Sequence, residues 1–320
     1  MKVIPPPENF PLSRALADSR MREGGTFWRD VFAIQQSVGP VIVWRWLFWI
    51  VWAFGVSLLH RYQPWEPAET SVVEVTGAFL AMLLVLRSNS GYDRWWEARR
   101  LWGGFVNQGR NLVVTALAFG PRDDAWRRIF VRWAAAFAHV CRRSLRGERE
   151  MPEVVALIGE AAAARVLASP HGPTYTAHVL AELIADAHRS GHINTAIYRQ
   201  LELQRTLLVE HVGHCERIVS TRFPRVHRTM LGQLMVLYLL AFPFAVVSDG
   251  WWGESFLMAP IAYFLLSLDQ VARELGNPFS PNNRSHLPIG GIAAALEQNL
   301  MGLLDQPVHL DALPLLPKKE

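Results

Sequence analysis

His211 and His214 fall one helical turn apart with Cys215 and Glu216 beside them, and His188 with His192 forms an i, i+4 pair. Imidazole and thiolate at such spacings are the donors that hold zinc or haem iron. Neither set has a partner cluster elsewhere in the chain, and a structural zinc wants four ligands. Internally satisfied or surface histidines are therefore the simpler expectation. Cys141 and Cys215 each sit inside a helical pattern and offer neither a disulfide framework nor a paired metal motif. No nucleophile elbow, phosphate loop or carboxylate dyad is present, so catalysis has no identifiable seat. The expectation is a protein that is not an enzyme and that carries no cofactor and no metal.

A different chemistry is suggested around residue 86, where an apolar segment runs without a loop into Arg87, Tyr92, Arg94, Trp95, Trp96, Arg99 and Arg100. Indole and phenol rings settle at the boundary between membrane and water, and arginines collect on its cytoplasmic side. Composition agrees. The 320 residues are 51% hydrophobic and include 13 Trp and 16 Phe, more aromatic mass than a soluble domain usually needs. The 32 basic residues exceed the 28 acidic ones, giving +4, but all except Lys2, Lys318 and Lys319 are arginines spread along helical patterns. A nucleic-acid binder concentrates its basic residues in a patch or stripe, so no nucleic-acid partner is expected. Residues 1–10 hold Pro5, Pro6, Pro7 and Glu8 rather than a basic start and an apolar run, so no secretory signal is expected there.

The elements that position this boundary are four apolar segments, at about 41–59, 70–86, 229–248 and 255–268. A lipid-spanning helix needs about 20 residues. Short or charged spans suit helices packed inside a bundle or lining a cavity. Arg14, Arg20, Arg22 and Arg29 precede the first segment, and Arg217, Arg222, Arg225 and Arg228 precede the third. Arg87, Arg94, Arg99 and Arg100 follow the second, and Arg273 follows the fourth. The connections around 60–66 and 249–254 carry few basic residues. By the positive-inside rule both termini and the middle of the chain lie in the cytoplasm, leaving two helical hairpins that enter the membrane from one side.

The middle, residues 90–223, reads as a cytoplasmic bundle of amphipathic helices. Ser90 with Asp93 can cap a new helix start, and Asn89 and Gly91 suit a change of direction between two helix segments. Trp126, Ile129, Phe130, Trp133, Phe137 and Val140 keep helical spacing, with Arg127, Arg128, Arg142 and Arg143 mostly off that face. Gly147 and Pro152 end the run. Further helices are expected over 152–167, 175–188 and 194–220, and one more over 292–304 before the Pro-rich 313–317.

In order along the chain stand Arg94-Trp95-Trp96-Glu97-Ala98-Arg99, Leu101-Trp102-Gly103, Cys215-Glu216-Arg217-Ile218 with Thr221 and Pro224, and, after Leu268-Asp269 and Glu274, Asn277-Pro278-Phe279. Each alone is weak, but their order and their fit to the apolar segments resemble the bacterial bestrophins, ion channels, over roughly residues 20–290. The resemblance implies an all-α integral membrane protein, a homopentamer around a central pore. It divides the chain into a cytoplasmic N-terminal segment (1–30), a channel domain (31–290) and a C-terminal tail (291–320).

In that family the second membrane helix lines a narrow apolar neck, which laid onto this sequence falls on Ala78, Met82 and Leu86. Spacings of i, i+4 and i+8 do put these three on one helix face. Lipid- or core-facing positions would show the same spacing, and Phe79 and Leu83 serve equally on an adjacent face. An apolar neck gates by dewetting, and Ala78 and Met82 in place of bulkier side chains imply a wider, leakier one. The resemblance also implies a cytoplasmic aperture near Ile193, Ala196 or Ile197, positions for which ordinary helix packing is the simpler account.

Animal relatives clamp Ca²⁺ with an acidic cluster after Asn-Pro-Phe. Here residues 277–286 offer only amides and hydroxyls, whereas a hard cation wants anionic oxygens, so no calcium activation is expected. The expected function is passive conduction of chloride or another small anion across the cell membrane. The alternative is a monovalent cation such as sodium, drawn by Glu66, Glu69 and Glu74, which equally suit solvated surface or pairing with Arg61. A membrane metal-binding protein or a scaffold is a remoter reading. Self-association, membrane lipid and permeant ions are the expected partners.

Overall fold

The computed structural model describes residues 37–66, 70–221, 224–247 and 253–305, with side chains from 256 in the last stretch. The N-terminal arginines, Glu69, the 249–252 connection and the Pro-rich end lie outside the described residues. Ten helices and no strand are present among those described: α1 (Gly39–Tyr62), α2 (Thr70–Phe119), α3 (Asp124–Arg146), α4 (Pro152–Ile158), α5 (Glu160–Ala168), α6 (Gly172–Arg189), α7 (Thr195–Ser220), α8 (Arg225–Val246), α9 (Gly253–Leu275) and α10 (Ile289–Asp305). They fall into two units, one holding α1, α2 as far as Trp95, α8 and α9, the other the rest of α2 with α3–α7 and α10.

In the first unit all four helices are long and apolar enough to cross a membrane. The shortest such stretch, Phe256–Leu275, has 20 residues, about 30 Å at 1.5 Å per residue. Ile42, Trp49 and Ala53 of α1 pack with Leu80 and Leu84 of α2, Leu239 and Phe242 of α8, and Ala262 and Leu265 of α9. Trp46 Nε1 donates to the carbonyl of Ala259 (2.7 Å), and Trp52 Nε1 to that of Leu240 (3.3 Å). Indole donors so placed stay satisfied where water is scarce.

The expected break near Ser90 does not occur. α2 runs unbroken for 50 residues. Ser90 Oγ donates back to the Leu86 carbonyl at 3.0 Å instead of capping a new start, a bond a mid-helix serine makes readily. Gly91 serves close packing rather than bending: a Cβ there would meet Leu275 Cβ at 3.1 Å and the Ala272 carbonyl oxygen at 3.4 Å.

The second unit is built more as expected. Asp123 caps α3, its carboxylate accepting from the Ala125 and Trp126 amides, and Gly147 closes it at φ 69°. Asn194 Oδ1 caps α7 through the Ile197 amide at 2.9 Å. Trp102 and Phe105 stack at 5.1 Å, and Phe137 lies against Phe105. One expectation fails. The helix over 152–167 is split at Gly159, whose φ of 83° a non-glycine residue avoids. Arg142 and Arg143 are buried, and Glu153 accepts from both, from Arg142 at 3.1 Å.

Candidate functional site

α2 has one face committed and one face open. Leu80, Leu84, Arg87 and Gly91 recur every three to four residues and are buried within the first unit. Arg87 fixes the rotation of the helix, because its guanidinium donates to the carboxylate of Asp269, itself buried and also paired with Arg273 Nε at 2.7 Å. Two charges removed from water hold only while each keeps its partner, so this face cannot turn outward. Leu86, a residue before and about 100° round, is thereby turned away from the core.

The open face carries Val75, Ala78, Phe79, Met82 and Leu86, all exposed within the chain. All three sequence-predicted neck residues lie on it. Phe79, on the adjacent strip, is 60% exposed against 50% for Met82 and 54% for Leu86, whereas Leu83 is half-buried. At 3.6 residues per turn Asn89 and Asp93 sit within about 20° of Met82, and both are exposed. Sequence reasoning missed this pair, although carrying the spacing past Leu86 finds it. The stripe is therefore apolar for about three turns and then turns to an amide and a carboxylate.

The three aperture positions part company. Ile193 is buried, with its carbonyl accepting from His188 Nδ1 at 3.0 Å, Ala196 is exposed and Ile197 half-buried. The motif residues are structural ties. Trp95 Nε1 donates to the Ser285 carbonyl at 2.8 Å, and Glu97 accepts from Arg217 at 2.9 Å. Arg94 is half-buried and Trp96 exposed. Asn283 Nδ2 donates to the carbonyls of Asn277 (2.8 Å) and Glu274 (3.0 Å). Pro278 and Phe279 are buried.

His188 stacks on Tyr198 at 4.9 Å, and His171 Nε2 lies 2.7 Å from Glu216 Oε1. The ring of His211 lies against Gly104, where a Cβ would meet it at 2.7 Å, and burial lowers its pKa. Burial, with the nearby carboxylates, pushes the Cys215 thiol up to about 12, which keeps it protonated at neutral pH and a poor ligand. Burial likewise raises Cys141. Among the described residues no three of His, Cys, Asp and Glu converge as a metal site would require. Glu66 and Glu74 are exposed.

A family model described as bacterial/fungal bestrophin protein matches residues 19–302. A voltage-dependent anion channel-forming protein of Synechocystis is 28% identical over 291 residues, 88% of this chain and 92% of that one. A protein of the same description from Escherichia coli K12 is 31% identical over 232 residues, 72% and 76% of the two chains. Among solved structures, a bacterial bestrophin homologue from Klebsiella pneumoniae superposes with a TM-score of 0.77 at 25% identity, covering 83% of this chain and 99% of that one.

Proposed function

The chain belongs to the bacterial and fungal bestrophin family, and from that premise we propose that it is a passive anion channel, not an enzyme, assembled as a homopentamer in the cell membrane. Both termini and the 90–223 region lie in the cytoplasm, with 1–30 as N-terminal segment, 31–290 as channel domain and 291–320 as tail. The carrying observation is the open apolar face of α2, opposite a face locked by the Arg87–Asp269 pair. Five copies facing one axis would ring the pore with Ala78, Met82 and Leu86. Such a tube excludes water, and an ion enters only when it wets. Of the aperture candidates, Ala196 and Ile197 can face a pore as the chain stands, whereas Ile193 serves its own core. Calcium plays no part at residues 277–286, because that stretch brings amides and hydroxyls but no carboxylate for a hard cation.

Relatives described as anion channels favour chloride or another small anion. One observation favours a monovalent cation instead: Asp93 follows the neck on the same face, where five carboxylates would draw cations. The reversal potential of the purified protein in a planar bilayer under a salt gradient decides. A value near the chloride potential is expected. A value near the cation potential that moves toward zero in Asp93→Asn would transfer selectivity to that ring. No current from a verified oligomer would end the channel reading.

A further inference from the structure

Between α1, α8 and α9 of the membrane unit lies a groove of about 890 Å³, polar at one end and apolar along the rest. This is within the size range of ligand pockets, about 300–1,000 Å³. The polar end gathers Arg45, Thr229, Gln233 and Arg273, and the apolar wall is Phe48, Val236, Leu237 and Leu240. From Thr229 to Leu240 the helix rises about 16 Å, close to half of the roughly 30 Å hydrocarbon layer, or one leaflet.

The charges at the polar end do not cancel. Asp269 is shared by Arg87 and Arg273, and among the described residues Arg45 has no hydrogen-bonding or ion-pairing partner. The charged residues lining that end, Arg45, Arg273 and Asp269, leave a net single positive charge, with Arg45 about 9 Å inside the start of α1. A lone arginine at that depth is costly unless something anionic meets it. A phosphodiester headgroup does so, while its acyl chains continue down the apolar wall.

We infer that this groove is a binding site for an anionic phospholipid of the leaflet on the arginine-rich side. A neighbouring protein segment would bury the wall equally well but would have no need of a polar-to-apolar gradient one leaflet long. The site does not depend on which ion the protein conducts, nor on the α2 face lining a pore.

Gly232 lines the groove, and a Cβ there meets nothing within 4 Å, so Gly232→Phe fills the space with the arginines kept. The test is native mass spectrometry of the detergent-solubilised full chain after equilibration with vesicles of equal phosphatidylglycerol and phosphatidylcholine. The wild-type protein is expected to retain phosphatidylglycerol preferentially. Arg45→Gln should lower that preference roughly fivefold, Arg199→Gln in the second unit should leave it unchanged, and Gly232→Phe should release lipid of either headgroup. Equal retention of both lipids by the wild type, or undiminished retention by Gly232→Phe, overturns the site. So does a fall in oligomeric mass on Gly232→Phe without lipid loss, which would seat a second copy of the chain there.

Discussion

The two units use the same kinds of residue in opposite directions. In the second unit Phe130, Phe137, Leu180, Leu201 and Leu208 are sealed inside, as water demands. In the first, Trp44 is 80% exposed, Val51 69% and Leu237 63%. An apolar surface this extensive needs lipid or a partner over it. Polar groups invert as well. The second unit sets its arginines against carboxylates that still reach solvent, such as Glu153 and Glu148. The first buries one nearly dry pair, Arg87 with Asp269, at 6% and 3% side-chain exposure. Side chains facing lipid contribute to placement in the membrane, and the few polar groups inside fix helix rotation.

The largest effect should come from breaking that dry pair. Asp269→Asn leaves the Arg87 charge buried without its counterion, at a cost of about 3–5 kcal/mol. Thermal unfolding in detergent reads it. A loss below about 1 kcal/mol would mean water reaches the pair, and the rotational lock on α2 would fall with it. The contrast in burial gives the next test. Phe137→Ala in the second unit should cost about 3–5 kcal/mol, whereas Phe48→Ala should stay within about 0.5 kcal/mol in detergent. Equal losses would show that the outward face of α1 is packed against another copy.

How much of this was legible follows from which signals are local. Gly147, Pro152 and Asn194 mark helix ends through their own backbone or side-chain chemistry, and each stands at one. The four spans were readable from length and apolarity, and the matching family residues from their order. Ser90 misled because its hydroxyl satisfies a cap and an i−4 carbonyl equally well, and only the packing of Gly91 against α9 decides between them. The burial of Arg142 and Arg143 could not be read from helical spacing, because their carboxylate partner lies beyond the next turn, at Glu153. For the α2 face, spacing left Ala78, Met82 and Leu86 level with Phe79 and Leu83. The structure sets Leu83 apart by half-burying it and leaves Phe79 in play.

The third test asks whether the open face of α2 is open for conduction or only for contact. Met82→Ala with Leu86→Ala should raise single-channel conductance roughly fivefold, a barrier lower by about 1 kcal/mol. Melting should barely move, since both side chains are exposed in the chain. Unchanged currents would remove them from the neck, and a large melting loss would make them an interface instead.

The smallest effect belongs to the wetter pairing of the second unit. Burial acts to raise the Glu153 carboxyl, but its backbone hydrogen bond and the Arg143 and Arg142 guanidiniums outweigh it and hold the group at about 2. A depressed carboxylate contributes stability that is fully present above its ordinary value of 4.5 and lost as pH falls toward about 2. Because the side chain is 37% exposed, solvent screening reduces the contribution to about 1 kcal/mol. Over that window the wild type should lose about this much more than Glu153→Gln, read by thermal unfolding at stepped pH. Parallel curves would show that these pairs add nothing measurable, and that packing alone holds α3 against α4.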